Sequence, residues 1–319
     1  MITWGISALN HGTSIAVFES RELKFFGVNK DNDRDHTLIH KAISSTHTGP
    51  SVIAWYERPW VKKTRQLYAG QWSAAKDMSV LPAKWLRDCR VGYAKVKYFA
   101  HHKSHAAAGF FTSPFDNATV VVLDAIGEWE SASIWQGQGT DLKKVWSRSY
   151  PNSLGIFYSA FTQLIGYRPV VDEYRLQQDS VLGDPSRYIE TVRSYFNGVV
   201  GLRANLHCGV LDWPFPITCD RDRWDIAAAV QQVFEEQAGM VMLIARRIAP
   251  SRNLVYMGGC AMNSQYNKHL QSDWDNVWSL PDPGDSSSAI GAALLAINQR
   301  VNVNTGVVKH LDLVYNNKI

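Results

Sequence analysis

Few residues in this 319-residue chain are cysteine, and few apolar residues run on without interruption. Charged residues amount to 19% and hydrophobic ones to 45%, values of a packed globular protein that exclude extensive disorder. The four cysteines (Cys89, Cys208, Cys219, Cys260) show no CxxC or finger spacing. That argues against a structural zinc module and reads as reduced thiols. No apolar run approaches the ~20 residues of a membrane span. One of the longest, Met240 to Ala245, is stopped by Arg246-Arg247. The opening Met-Ile-Thr-Trp-Gly has no basic stretch leading into an apolar one, so the expectation is a cytoplasmic protein without membrane contact. No helix-turn-helix or finger pattern is visible, which sets aside a DNA-binding regulator. The length suits one large domain or two tightly joined lobes.

What charge there is lies unevenly. Residues 55–97 hold ten Lys or Arg (Arg58, Lys62, Lys63, Arg65, Lys76, Lys84, Arg87, Arg90, Lys95, Lys97) against three acids, within a chain of net charge +4. Trp55, Tyr56, Trp60, Tyr68, Trp72, Trp85 and Tyr93 are interleaved with them. Cations alternating with aromatics are what a phosphate backbone and a stacked base require. An ordinary solvated helical face with its aromatics turned inward would give the same composition.

The N-terminus reads as a three-strand meander: Ile2 to Ala8, Thr13 to Glu19 and Leu23 to Val28, with a turn at Asn10-His11-Gly12. The profile recurs 117 residues later. Val122 to Ile134 falls without a gap on Gly5 to Val17, and Leu142 to Ser149 supplies the third strand again. A duplicated meander, each copy followed by helices, indicates two related α/β lobes, with residues 10–14 and 127–131 meeting across a cleft.

Helices are expected over Leu154–Ile165, Arg187–Phe196 and about Arg223–Ile248, the last starting at Asp222 or at Cys219-Asp220. Asn253 to Met257 is a short strand entering Gly258-Gly259, and a helix follows from about Asn263. Strand–Gly-Gly–helix lets backbone N–H groups approach a phosphate, although the same pair also makes a plain tight turn. A polar turn leads into the small-residue helix at Ala289, where Asp285 would cap backbone N–H groups or meet a metal. The stretch past Arg300 reads as a loosely attached terminus.

The run His101-His102-Lys103-Ser104-His105 is followed by Asp124 at the end of an apolar strand. If a helix starts near His101, then His101 and His105 share a face. Two imidazoles at that spacing, plus a strand-end carboxylate, can hold a metal and leave positions open. Two packed helix-start histidines are the plain alternative. His102 is a second candidate for the catalytic set, though its i+1 position points it off that face toward packing or a nearby hydrogen bond.

These pieces together resemble the O-carbamoyltransferases of the NodU, CmcH and TobZ type. The segments that carry the resemblance include Gly5 to Ser14, Tyr56-Glu-Arg-Pro59, His101 to Ala107, Leu123 to Trp129 and Ser153 to Thr162. Asn253 to Asn263 and Gly284 to Ala293 continue it, in family order over residues 2–295. The resemblance implies a duplicated actin/hexokinase/Hsp70-like (RNase H-like) α/β fold around a central cleft. Residues 1–118 would form one lobe, with part of the C-terminal helical region packing on it, and 119–319 the other, with a helical insertion. It implies that His101, His105, Asp124 and Asp285 hold a divalent metal, typically iron(II). Gly155, Gly258, Gly259 and Asn263 would form the donor-phosphate or nucleotide cradle, with ATP or ADP as further ligands. His11 matches the family histidine facing the acceptor and is the candidate general base.

Two departures stand out. The family's Glu-Tyr-Lys-Val-Met-Gly-Leu-Ala stretch is here Glu173 to Ser180, with Arg175 in place of Lys. A planar fork replaces a point charge among the donor or acceptor contacts. The family's YrdC-like adenylate-forming domain is also not expected within these 319 residues. Either a separate protein supplies carbamoyl adenylate, or carbamoyl phosphate is taken directly. The expected reaction is carbamoyl transfer to a hydroxyl. Some small phage-encoded relatives modify hydroxymethylated pyrimidines, so the basic segment 55–97 leads to 5-hydroxymethylcytosine in DNA as the acceptor, in a host cytoplasm. A sugar or antibiotic hydroxyl, or a non-catalytic nucleotide-binding subunit, are the alternatives.

Overall fold

The computed structural model describes residues 1–10 and 12–301. The first half runs β1 (Ile2–Ser7), β2 (Thr13–Glu19), β3 (Glu22–Asn29), α1 (His36–Thr46) and β4 (Val52–Trp55). It continues with α2 (Pro59–Tyr68), α3 (Trp72–Lys76), α4 (Pro82–Asp88), β5 (Lys95–Tyr98) and α5 (His101–Thr112). The second half opens with β6 (Asn117–Gly127), β7 (Glu130–Gln138), β8 (Asp141–Ser149), α6 (Leu154–Leu164), α7 (Glu173–Asp179) and α8 (Ile189–Arg193). It closes with α9 (Asp220–Ile248), β9 (Asn253–Met257), α10 (Ser264–Asp273), β10 (Asn276–Trp278) and α11 (Asp285–Ile297).

Two five-stranded mixed sheets result, ordered β3-β2-β1-β4-β5 and β10-β9-β6-β7-β8, so each is the other's equivalent read from the opposite edge. The repeat of 117 residues holds at the level of hydrogen-bonded pairs. Gly5 faces Ala16 as Val122 faces Ser133, and Ile6 faces Ile15 as Leu123 faces Ala132. The register shift at Val17/Phe18 recurs at Ile134/Trp135. The central strands β1 and β6 are buried along nearly their whole length, as strands covered on both faces must be.

The helix that ends each half lies on the sheet of the other. α5 packs on β6, β7 and β9, whereas α11 packs on β1, β2 and β4, and the two helices pack on each other. They form a central layer whose core joins Ala106, Phe110, Val120, Met257, Ile290 and Ala293. Small residues make this contact possible. A Cβ on Gly5 would lie 1.7 Å from the Ala289 carbonyl oxygen, and one on Gly291 1.9 Å from that of Ser104.

Cys219 caps helix α9, the earlier of the two expected starts, and Asp222 accepts from the backbone N–H groups of Thr218 and Cys219 at 2.8 and 3.2 Å. The helix expected over 187–196 is shorter. Pro185–Arg187 is a 3-10 turn, and after Arg193 the chain bends so that Phe196 pairs with Leu202 around Gly198. The terminus beyond Val301 lies outside the described residues. No helix among those described is long and apolar enough to cross a membrane.

Candidate metal centre

The first turn of α5, the first residue of α11 and the end of β6 meet at one point. His101 and His105, one turn apart, bring their Nε2 atoms to 3.0 Å of each other. His101 Nε2 lies 3.2 Å from Asp124 Oδ2 and 3.2 Å from Asp285 Oδ1. His105 Nε2 lies 3.2 Å from Asp285 Oδ1 and 3.7 Å from Asp124 Oδ2. One ligand atom from each of the four residues falls within 4.8 Å of all the others. His101 and His105 are almost wholly buried, and Asp124 is 9% exposed.

The charge at this point is unbalanced without a cation. Asp124, buried, and Asp285, partly buried, face two imidazoles; with the imidazoles neutral the group carries a formal charge of −2, which a divalent ion would cancel. Buried charge of that size is costly unless it is paired. Without an ion, a proton on His101 is the other way to offset that charge. Burial alone would lower the His101 pKa, but Asp285, Asp124 and Glu57 beside it hold the pKa well above the ordinary histidine value. Burial likewise pushes the two carboxyls up, and His101 and His105 outweigh it, holding Asp124 and Asp285 low. With both imidazoles protonated at Nδ1, four lone pairs converge and no donor stands among them. The donor set therefore fits a metal of mixed nitrogen and oxygen preference.

Neighbouring groups fix the ligands. The Gly259 backbone N–H donates to Asp124 Oδ1 at 3.0 Å. Gly258, at φ +94°, makes the turn, and a Cβ there would meet the Leu123 carbonyl oxygen at 2.2 Å. Ser153, which caps α6, donates to the backbone oxygens of Asp124 and Ala125 at 3.2 and 2.7 Å. The Nδ1 atoms of His101 and His105 have no hydrogen-bond partner among the described residues, and Glu57 Oε2 lies 3.8 Å from His101 Nδ1. Glu57 is itself held by Lys62 at 2.9 Å. Sequence reasoning passed over Glu57, although Tyr56-Glu-Arg-Pro59 placed it beside the strand end that faces the histidines.

The other expected site residues are distributed as follows. Gly155 opens α6 against β6, where a Cβ would lie 2.7 Å from Ala125 Cα. Asn263 caps α10, and its side chain is occupied by the Tyr266 N–H and by the amide of Gln231. Arg175 sits on the outer side of α7, half exposed, over the Tyr167 ring and 4.0 Å from Asp172. His102 gives no atom to the four-ligand group. Its Nδ1 is 2.8 Å from Ser133 Oγ, and burial among the neighbouring cations lowers its pKa well below the usual value. His11 lies outside the described residues.

Part of the basic segment is spent inside the protein or in ion pairs. Lys63 and Arg65 are buried, Arg58 closes on Glu128 across the two halves, and Lys62 and Lys84 pair with Glu57 and Asp88. Trp55, Tyr56 and Trp85 belong to the core, while Trp60, Tyr68, Trp72 and Tyr93 are exposed. Lys76, Arg87, Arg90 and Lys95 are exposed and have no acidic partner among the described residues.

With sheets, crossed helices and cleft in place, comparison with solved structures defines the fold. The activator of the 2-hydroxyisocaproyl-CoA dehydratase from Clostridium difficile matches with a TM-score of 0.51 at 15% identity, over 93% of this chain and 95% of that one. A ROK hexokinase from Thermus thermophilus gives 0.50 at 12%, over 92% and 98%. Full-length HypF gives 0.51 at 12%, over 93% and 55%. The fold is the duplicated actin/hexokinase/Hsp70-like one. Within it, the family described as carbamoyltransferase N-terminus matches residues 55–294, and the chain belongs to that family. It is 34% identical over 242 residues to an uncharacterized protein of Synechocystis sp., covering 67% of this chain and 38% of that protein. It is 28% identical over 212 residues to nodulation protein NolO of Bradyrhizobium diazoefficiens, covering 62% and 38%. The chain thus spans less than half the length of these curated relatives.

Proposed function

We propose that this protein transfers a carbamoyl group from carbamoyl phosphate, or from carbamoyl adenylate, to a hydroxyl. The observation that carries this reading is the convergence of His101, His105, Asp124 and Asp285 at the meeting of the two halves. These four would hold a divalent metal, iron(II) in the first place, which when bound supplies Lewis-acid polarisation and stabilises charge on the departing oxygen. The chain's own contribution is positioning. Helices α5, α6 and α11 all begin around Asp124, and their positive ends favour an anionic leaving group. The Gly258-Gly259 turn brings backbone amides to the same place. His11 is the group proposed to take the acceptor's proton, and the nucleotide bound in two fold neighbours, the dehydratase activator and HypF, supports a place for ATP or ADP. The lobe boundary at 118/119 is proposed on the same basis, with α11 returning to the first sheet. A separate adenylate-forming protein is the proposed source of donor where carbamoyl phosphate alone does not serve.

For the acceptor we propose the hydroxymethyl group of 5-hydroxymethylcytosine in DNA. The exposed aromatics Trp60, Tyr68, Trp72 and Tyr93, with the unpaired cations of the same segment, support it. A duplex base would have to be flipped into the cleft. The internal use of Arg58, Lys62, Lys63 and Arg65 favours a second reading, a small-molecule hydroxyl. The deciding experiment incubates the metal-loaded protein with carbamoyl phosphate, with and without ATP, and hydroxymethylated DNA or a panel of sugars. Mass spectrometry of the digested nucleosides should show the gain of one carbamoyl group. Transfer to a free sugar alone would remove the DNA acceptor, and no transfer to any acceptor would return the chain to a nucleotide-binding subunit.

A further inference from the structure

A cavity of about 810 Å³ opens beside the four-ligand group. Two of its lining residues touch that group's surroundings: Glu57, 3.8 Å from His101, and Ala125, which follows Asp124 in β6. One wall is the segment 70–77, which brings Gln71, Trp72 and Ser73 to the cavity. This wall is held by two buried cations that no catalytic step uses. Lys63, 6% exposed, donates to the backbone oxygens of Ala74, Ala75 and Asp77 at 3.3, 3.0 and 2.7 Å. Arg65, 7% exposed, donates to Gln71 Oε1 at 2.8 Å and to the Glu128 backbone oxygen at 3.2 Å. The Gln71 amide then donates to His207 Nε2 at 2.9 Å, tying the wall to the other half. Burying an ammonium and a guanidinium is costly, and here both serve to make a surface segment rigid.

The lining also says what kind of ligand fits. Three carboxylates, Glu57, Asp77 and Glu128, line it against two cations, Lys62 and Arg65; Lys62 pairs with Glu57, Arg58 closes on Glu128, and Arg65 donates to neutral oxygens. No surplus cation remains to hold a phosphate. Ala125, Ile126, Ile156 and Ala160 give an apolar surface, and the Trp72 indole, 61% exposed, stands on the rigid wall. The side-chain amides of Gln66 and Gln163 line the cavity and have no hydrogen-bond partner among the described residues. Apolar surface, an exposed indole and free amides suit a flat, uncharged ring with hydrogen-bonding edges.

We propose that this cavity is the acceptor subsite, that it takes an uncharged heterocyclic alcohol, and that Trp72 is the residue on which the ring stacks. The proposal rests on the carbamoyl-transfer reading of the adjoining site. In the step it serves, the acceptor oxygen forms a bond to the carbamoyl carbon. The bond from that carbon to the phosphate oxygen breaks with its electron pair on the phosphate, and the hydroxyl proton passes to the base.

Calorimetry with 5-hydroxymethyl-2′-deoxycytidine, its 5′-phosphate and glucose, on the metal-loaded full chain, tests it without turnover. The nucleoside should bind, its phosphate should bind no more tightly, and glucose should not bind. Trp72→Ala should weaken the nucleoside about tenfold or more, the usual loss when a base forfeits an aromatic platform, and Trp72→Phe should recover most of it. Equal binding by Trp72→Ala, preference for glucose, or a tenfold gain from the phosphate would each overturn the proposal. A wild-type protein that transfers carbamoyl to some hydroxyl but ignores the nucleoside would sink the subsite alone. A protein that binds the nucleoside through Trp72 and transfers nothing would sink the transfer reading instead.

Discussion

The two halves agree in strand order, register and even the position of a bulge, yet they differ at the ends of their first strands. Moving 117 residues along takes Ser7, the last residue of β1, to Asp124 near the end of β6. The helices that close the halves differ in the same way: α5 begins with His101, and α11 begins with Asp285. The duplication therefore supplies a symmetric frame, and the chemistry occurs where the copies have diverged. One half places a hydroxyl where the other places a carboxylate, and one helix offers imidazoles where its counterpart offers an acid.

The sharpest way to break this comparison is Asp124→Ser, which writes the first half's residue into the second. It should leave the purified protein without bound metal and without transfer activity, as should His101→Ala and His105→Ala. Elemental analysis alongside the nucleoside assay reads both, and stoichiometric metal in any of the three would refute the assignment. Next in size is Glu57→Gln. If the carboxylate orients His101 through Nδ1, its loss should weaken metal binding roughly 10–100-fold in a competition titration. Unchanged affinity would reduce Glu57 to a partner of Lys62.

The crossing of α5 and α11 gives a third measure. Gly291→Ala, pressing a methyl toward the Ser104 carbonyl, should cost about 1–3 kcal/mol, seen as a lower midpoint in denaturant. The smallest effect belongs to the cap of α9. Hydrogen bonds from the backbone and side chain of Thr218, and then from Arg187, hold the Asp222 pKa below the usual carboxylate range. Its contribution is thus complete above a pH of about 4 and fades as pH falls toward the lowered value. Asp222→Asn should lower Tm at neutral pH, with the gap to the parent protein closing in acid.

The frame was legible because it repeats. Alternation along Ile2–Ser7 and its recurrence at β6 set both sheets, and Gly258-Gly259 and Asp285 fell at the turn and helix start they suggested. His101, His105 and Asp124 could be grouped because helical spacing and strand ends act over short distances, whereas Asp285 joined them through the family resemblance. What stayed hidden depends on partners far away in sequence. Nothing near Lys63 in the chain announces that its ammonium would be buried against carbonyls more than ten residues on. The basic segment consequently read as a more open cationic surface than the folded one. Nor could the sequence alone show that the amide of Asn263 would be consumed by Gln231, thirty-two residues upstream.

Neither half possesses a complete interior of its own, because each lends its closing helix to cover the other's sheet. Any hinge motion that pulled the sheets apart would slide α5 along α11 and draw Asp285 away from the two imidazoles. An ion bound there would act as a rivet through the pivot, so gripping it and swinging the lobes wide are mechanically opposed.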